Sequence, residues 1–531
     1  MHMHRPAVLV ILDGWGISTR IQENVLRKTP LPTIEKLNKF YPLTTLQASG
    51  ISAGLPWGEV GNSEVGHITL GAGKIMYQNL PRISLSIQDK SFFQNPALRG
   101  AMLKATEHHG AVHLLGLLGQ GSIHSYHDHL YALLELAKQV GVEKLFVHAF
   151  TDGRDSLPTS GVESVKKLQE KFKLYGIGEL ASLCGRNWGM DRNNNWDRVE
   201  KSYRALAEGQ GETFTDPVAH LEKCYAASTP DHNSTDEYIE PALAVKDGQP
   251  IGVIHDGDAV IFFNFREDRA REITKAFVLP GFDKFPRSHQ LKLEFVTMTE
   301  YEKDLPVSIA FPKESVETGL GGVIAKRGLK QLRLAETEKY AHVTYFFNGG
   351  KEEPWQGEDR MLVPSPSVSS FDQTPEMSAP QITEKAIEAV QSGKYDFILI
   401  NYANADMVGH TGIKEACVEA VKAVDNNLAI LIPTVLKAGG ALIITADHGN
   451  VEEIRDPRTG EMETEHSTNP VPCWYVTPEN HYATEKNTQE ISAQENEIGG
   501  LLSDVAPTIL DIMGIPKSEE MTGESLLPTL K

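Results

Sequence analysis

Residues Ala7–Leu12 (AVLVIL) form an unbroken apolar run closed by Asp-Gly. A run with no polar alternation reads as a strand buried on both faces, which points to a parallel sheet. In the middle of the chain such runs alternate with helical patterns. Val112–Leu118 is predicted as a strand, His129–Gln139 as a helix, Leu145–Phe150 as a strand and Ser160–Leu174 as a helix. Leu180–Leu183 (strand), Trp196–Ala207 (helix) and Ala259–Phe263 (strand) continue the series. It resumes with strands at Val343–Phe347 and Phe397–Asn401 around a helix at Gln381–Gln391. A long helical stretch, Lys414–Leu436, breaks or ends near Pro433 and precedes a strand at Ala441–Thr445. Strands alternating with helices imply an α/β fold with a mostly parallel sheet. The polar stretch Glu479–Glu497 reads as a surface insertion and Ser228–Asp236 as a second loop. No internal repeat is visible.

Composition narrows the class. The chain has 531 residues, 40% hydrophobic and 23% charged, enough for two to four domains and a large core. Its net charge of −20 makes it a poor non-specific nucleic-acid binder, although basic residues gathered in one place could still hold an anionic substrate. The cysteines Cys184, Cys224, Cys417 and Cys473 are far apart and form no CxxC, so neither a disulfide framework nor a thiolate zinc site is expected. The N-terminal run is too short for a signal peptide, and no apolar run is long enough to cross a bilayer. The expectation is a cytoplasmic protein with no membrane or nucleic-acid partner.

Acidic and His residues cluster just past the buried-type strands. Asp13 ends the first, Asp406 and His410 follow another in NYANADMVGH, and Asp447 and His448 end a third in TADHGN. His466 lies beyond in TEHSTNP. In open parallel sheets ligands bind outside the carboxyl ends of the strands, so these groups could converge. Alone, an Asp-Gly after a strand is a turn. Together the six exceed one tetrahedral shell, and mixed Asp/His donors suit zinc or manganese, so two metals are the natural reading. Ser63, in VGNSEVGH before a probable helix, could cap that helix or, activated by a metal, attack phosphorus. The middle of the chain offers His124 in GSIHSYHDH, Arg154 and Asp155 in TDGRD, Arg186 and Arg192 in CGRNWGMDR, and Arg266 and Arg269 in NFREDR. Each Arg could be a surface ion pair; as a set they could hold carboxylate or phosphate bidentately. His127 and His129 are assigned to the helix that follows them.

The strings LDGWG, LQASG, GNSEVGHITLGAGK, FTDGRD, FFNFREDR, ETEKYAHVTYFFNGG, PEMSA, NYANADMVGH, TADHGN and TEHSTNPVP, with GGLLSDVAPTIL beyond them, run in a fixed order along the chain. In these the chain resembles the cofactor-independent phosphoglycerate mutases of the alkaline phosphatase superfamily. The resemblance implies interconversion of 3- and 2-phosphoglycerate in glycolysis and gluconeogenesis, without 2,3-bisphosphoglycerate, by a monomer. It implies two divalent ions, usually manganese: one held by Asp406, His410 and His466, the other by Asp13, Ser63, Asp447 and His448. Ser63 would be the phosphorylated nucleophile. His124, Arg154, Asp155, Arg186, Arg192, Arg266, Arg269 and Lys339 would contact substrate, with Lys339 neutralising the transferring group and Asp155 as the candidate acid/base. The string around His124 and the tail of the first motif, DGWGISTRIQENVL, depart from the family pattern.

Asp13 and Ser63 must meet Asp406–His466, so the two ends of the chain would form one domain. The expected architecture is an alkaline-phosphatase-like parallel-sheet domain of residues 1–80 and 315–531, with a second α/β domain, 81–314, inserted in it. The connections would cross near residues 77–85 and 305–318, with Pro81, Pro306 and Pro312 near them and the catalytic cleft between the domains. Two other readings are a related metal-dependent phosphatase or phosphopentomutase, and a non-catalytic metal- or anion-binding protein.

Overall fold

Ala7–Leu12 is a strand whose residues are all buried, and it lies inside an eight-stranded sheet. It pairs in parallel with Phe397–Tyr402 and Ala441–Thr445, Ala7 standing opposite both Phe397 and Ala441. The order across this sheet is Glu358–Val363, Gln331–Glu336, Phe397–Tyr402, Ala7–Leu12, Ala441–Thr445, Val471–Val476, Leu43–Gln47, Ile498–Leu501. Among the described residues its pairings are parallel except the two made by Val471–Val476. The computed structural model describes residues 4–20, 24–227, 235–456 and 459–530. A second sheet is centred on Val112–Leu118, which pairs in parallel with Leu145–Thr151 and Ala259–Phe262. The chain divides into two compact units, Met1–Gln78 with Glu314–Lys531, and Asn79–Lys313, each containing one of these sheets. The architecture is α/β with largely parallel sheets. Because the central strands of the first unit run the same way, Asp13, the end of Phe397–Tyr402 and Asp447 all emerge on one edge.

Three expectations need correction. Val343–Phe347 is no strand: His342–Phe346 forms a π-helical turn. Its β-branched and aromatic residues favour a strand locally, but the place in the sheet is taken by Gln331–Glu336. That strand escapes a search for apolar runs because its polar residues Gln331, Arg333 and Glu336 are themselves buried. The helix Lys414–Lys437 continues through Pro433, anchored by buried Leu431, Ile432 and Val435 on either side of it. The stretch Glu479–Glu497 holds a helix, Thr488–Asn496, closed by a capping box between Asn487 and Glu490. The two units join along the chain between Gln78 and Asn79 and between Lys313 and Glu314, with Pro81 buried inside the helix Asn79–Gln88. The loop Ser228–Asp236 falls outside the described residues up to 234. Asp236 itself is buried, accepting from Gly161 N at 2.7 Å and from Tyr225.

Candidate active site

The helix Ser63–Ala72 begins beside Asp13. Its cap is Asn62, whose side chain accepts from Val65 N at 2.9 Å, so the Ser63 hydroxyl is not spent on capping. Instead Ser63 Oγ lies 2.9 Å from His448 Nε2 and 3.3 Å from Asp13 Oδ1, and it accepts from Lys339 Nζ at 2.8 Å. Lys339, on a short 3₁₀ turn after Gln331–Glu336, also reaches Asp13 Oδ1 at 2.7 Å and Asp406 Oδ2 at 2.6 Å. Beyond Asp406, His410 Nε2 and His466 Nε2 stand 3.2 and 3.1 Å from its Oδ1 and 3.1 Å from each other. The Nδ1 atoms of these two rings sit 2.7 Å from the carbonyls of Thr464 and Gly61 and must carry the protons. Both Nε2 atoms therefore converge on one carboxylate oxygen, which in the metal-free protein draws protons onto these rings and raises their pKa. Such a donor set fits a bound cation. Among the described residues two groups have the spacing to hold one, Asp406–His448–His466 and Asp13–Asp447–His448, which share His448.

The charges are strongly coupled. Burial and the neighbouring Asp447 raise the pKa of Asp13. Burial opposes ionisation of Asp406 too, but Lys339, His410 and His466 outweigh it and hold Asp406 well below the usual carboxylate range. Asp447 is likewise held low against burial by His448 and His67. Lys339 is fully buried, yet Asp13, Asp406 and Asp447 raise its pKa above that of an ordinary lysine, so it stays charged.

The second unit carries its own cluster. Arg186, 2% exposed, donates to Asp152 at 2.6 Å and Asp155 at 2.5 Å. Asp268 accepts from Arg192 at 2.9 Å and from Arg266, whose Nε lies 3.2 Å away. His124 stands 3.7 Å from Asp155 and 3.6 Å from Asp268. Burial, then Arg186, lowers its pKa to about 4, so its ring is neutral at physiological pH. Arg269 donates to the Met190 carbonyl at 3.2 Å, and burial together with Arg186, Arg192 and Arg154 lowers its pKa. Arg154, more exposed, reaches Glu237 at 3.4 Å. Burial and the neighbouring guanidinium groups thus act on Arg269, while Arg186 is held charged by Asp152 and Asp155. His129, by contrast, is buried and bonds Ser84 at 3.0 Å, tying two helices together.

Residues 83–303 match the family model described as BPG-independent PGAM N-terminus. The chain is 48% identical over 523 residues to the 2,3-bisphosphoglycerate-independent phosphoglycerate mutase of Escherichia coli (strain K12), covering 98% of each. It is equally similar to the enzyme of that name from Shigella flexneri. This chain belongs to the 2,3-bisphosphoglycerate-independent phosphoglycerate mutases. A solved phosphoglycerate mutase from Leishmania mexicana is 31% identical over 98% of this chain and 97% of that one, with a TM-score of 0.51. The protein is thus an enzyme that interconverts 3-phosphoglycerate and 2-phosphoglycerate in glycolysis.

Several residues that contact these two clusters are not marked by the sequence of this mutase. Asp268 joins Arg192, Arg266 and His124, and Asp152 fixes Arg186; both lie inside quoted motifs, NFREDR and TDGRD, where the Arg residues drew the attention. His67 and Asn401 lie behind Asp13 and Asp447. His67 belongs to GNSEVGH, but nothing in the spacing separates it from a helix-facing histidine. Glu452 accepts from Gly16 N and Asn450 N, both at 2.9 Å, and so braces the loops around Asp13 and Asp447.

Proposed function

We propose that the mutase works through a phosphoserine at Ser63, with two divalent ions beside it. The ions would be held by Asp406, His410 and His466 and by Asp13, Ser63, Asp447 and His448, with His448 near both groups. One observation carries this reading: a Ser63 hydroxyl free of the capping role between His448, Asp13 and Lys339, next to two imidazole Nε2 atoms converging on one buried carboxylate. Asp/His donors favour manganese over magnesium or calcium. When bound, the ions supply positive charge and lower the hydroxyl pKa.

Ser63 Oγ forms a bond to phosphorus as the bond to the glycerate oxygen breaks. Lys339 Nζ neutralises charge on the transferring group, and the amides at the start of the Ser63–Ala72 helix add to this. Asp155, held as a carboxylate by Arg186, takes the proton of the other hydroxyl and passes it to the leaving oxygen, so the proton moves opposite to the phosphoryl group. His124, Arg154, Arg192, Arg266 and Arg269 hold the glycerate carboxylate while the hydroxyls exchange. The second hydroxyl then takes the phosphoryl group back. We also place the enzyme in the cytoplasm as a monomer, in line with its unpaired cysteines.

Retention of glycerate separates a mutase from a phosphatase. Labelled free glycerate added during turnover should not enter the phosphoglycerate product. Arg266→Ala should raise phosphate release relative to isomerisation, and Ser63→Ala should abolish both. Extensive label incorporation by the unmodified enzyme would refute the retained-glycerate scheme. Chelation should abolish turnover and manganese restore it; full activity in protein shown by elemental analysis to be metal-free would exclude the metal reading.

A further inference from the structure

Two buried polar side chains behind the reaction centre have no part in the scheme above. Asn401, in the Phe397–Tyr402 strand, and His67, on the Ser63–Ala72 helix, are both 0% exposed. Asn401 Nδ2 lies 2.7 Å from Asp13 Oδ2 and 3.0 Å from His67 Nε2. The carboxamide can face only one way, because a reversed amide would set its carbonyl against the Asp13 carboxylate, acceptor to acceptor. One amide proton therefore goes to Asp13 and the other to His67 Nε2, which must be the unprotonated nitrogen. His67 then carries its proton on Nδ1, which lies 2.8 Å from the Ser63 carbonyl and 3.2 Å from Asp447 Oδ2.

One amide and one imidazole thus touch Asp13, Asp447 and the backbone of Ser63. With Asp13 Oδ2 engaged by Asn401, Oδ1 is the oxygen turned to Ser63 Oγ and Lys339. Asn401 Oδ1 is buried without a hydrogen-bond partner, a cost set against the two hydrogen bonds its amide gives to Asp13 and His67.

We propose that Asn401 and His67 are a positioning pair, which presents one oxygen of Asp13 to the reaction centre and ties the Ser63 backbone to the Asp447 side. The inference rests on the reading of Asp13 and Asp447 as metal ligands. Partners of this kind orient ligands, and their loss costs about 10–100-fold in metal affinity or activity.

The test uses the full-length apoenzyme titrated with Mn²⁺, free ion being followed by electron paramagnetic resonance, alongside kcat, KM and the melting temperature of the metal-free protein. Asn401→Leu keeps the volume and removes the amide. It should lower Mn²⁺ affinity and kcat by about 10–100-fold and leave KM within about twofold. The metal-free melting temperature should fall, because Asp13 Oδ2 and His67 Nε2 lose their buried donor, so affinity is read on protein that is still folded. His67→Asn keeps a donor where Nδ1 stands but cannot reach Asn401, and should shift affinity in the same direction. Because both act through one link, the double variant should be no worse than Asn401→Leu alone. Undiminished Mn²⁺ affinity in folded Asn401→Leu would overturn the proposal, and so would losses that multiply in the double variant. Should Asn401→Leu fail to fold, His67→Asn decides alone by the same measure. Asp13→Asn is the control: if it leaves Mn²⁺ binding intact, the ligand assignment itself falls.

Discussion

Asn62 and Ser63 are neighbours with divided work. Asn62 satisfies the helix end, which leaves the Ser63 hydroxyl to Asp13, His448 and Lys339. Replacing Asn62 with Ala should cost about 1 kcal/mol of stability, read in a denaturant melt. It should also lower kcat, because Ser63 then sits nearest the vacated cap role; an unchanged kcat would show that the division is unimportant. Lys339 is the other decisive residue. It is the cation facing Asp13 and Asp406 at hydrogen-bond distance, in a place water does not reach. Removing one partner of a buried charge set typically costs about 3–5 kcal/mol. Lys339→Met should therefore destabilise the metal-free enzyme by an amount of that order, and Mn²⁺ should recover much of it by supplying the missing charge. Equal destabilisation with and without Mn²⁺ would contradict this.

At the scale of elements, two close approaches set where the site can be. Gly14 has φ +74°, and a Cβ there would stand 2.6 Å from the Asp406 Cα. Gly66 lets the Ser63–Ala72 helix lie against Asp447, where a Cβ would stand 2.8 Å from both the Asp447 carbonyl oxygen and its Cβ. The strand Gln331–Glu336 delivers Lys339 and ends in a buried carboxyl. Burial raises the Glu336 pKa to about 7, against hydrogen bonds from Ser365 and Ser378. A raised carboxyl binds more protons in the folded state than in the unfolded one. It therefore costs stability as pH rises from the ordinary carboxyl range through about 7. Glu336→Gln should raise the melting temperature at pH 8 and change it little at pH 5. A variant melting lower at pH 8 would show that the ionised carboxylate is needed.

Across the whole molecule, burial holds histidines neutral. His124 is lowered to about 4, His129 and His342 to about 3, and His113 and His148 also titrate low, in each case with desolvation as the leading cause. The unfolded chain takes up these protons near pH 6.5, where the folded chain does not. More protons bound in the unfolded state means that stability rises with pH, so it should fall steadily from about pH 6.5 to about pH 4. His410 and His466, raised by Asp406, work in the opposite sense in the metal-free enzyme. A melting temperature of the Mn²⁺-loaded enzyme that is flat between pH 4 and 6.5 would contradict this. His129→Gln should reduce the proton uptake on unfolding at pH 5.

Fold class and family are legible in the order of residues alone. Strands such as Ala7–Leu12, Val112–Leu118 and Ala441–Thr445 are legible as runs because a strand covered on both faces needs apolar residues throughout. The motifs name Asp13, Ser63, Asp406, Asp447 and the Arg set because metal and anion chemistry admits few side chains. The rest depends on which distant segments pack together. Gln331–Glu336, not Val343–Phe347, is the strand, because its buried polar residues find partners that no local pattern shows. Lys339 stands among the carboxylates, Asp268 gathers two arginines, and Asn401 meets Asp13 across 388 residues of chain. Periodicity records which positions are covered. Which oxygen a buried amide or ammonium faces depends on groups brought together from distant segments, and that information exists only once the chain has folded.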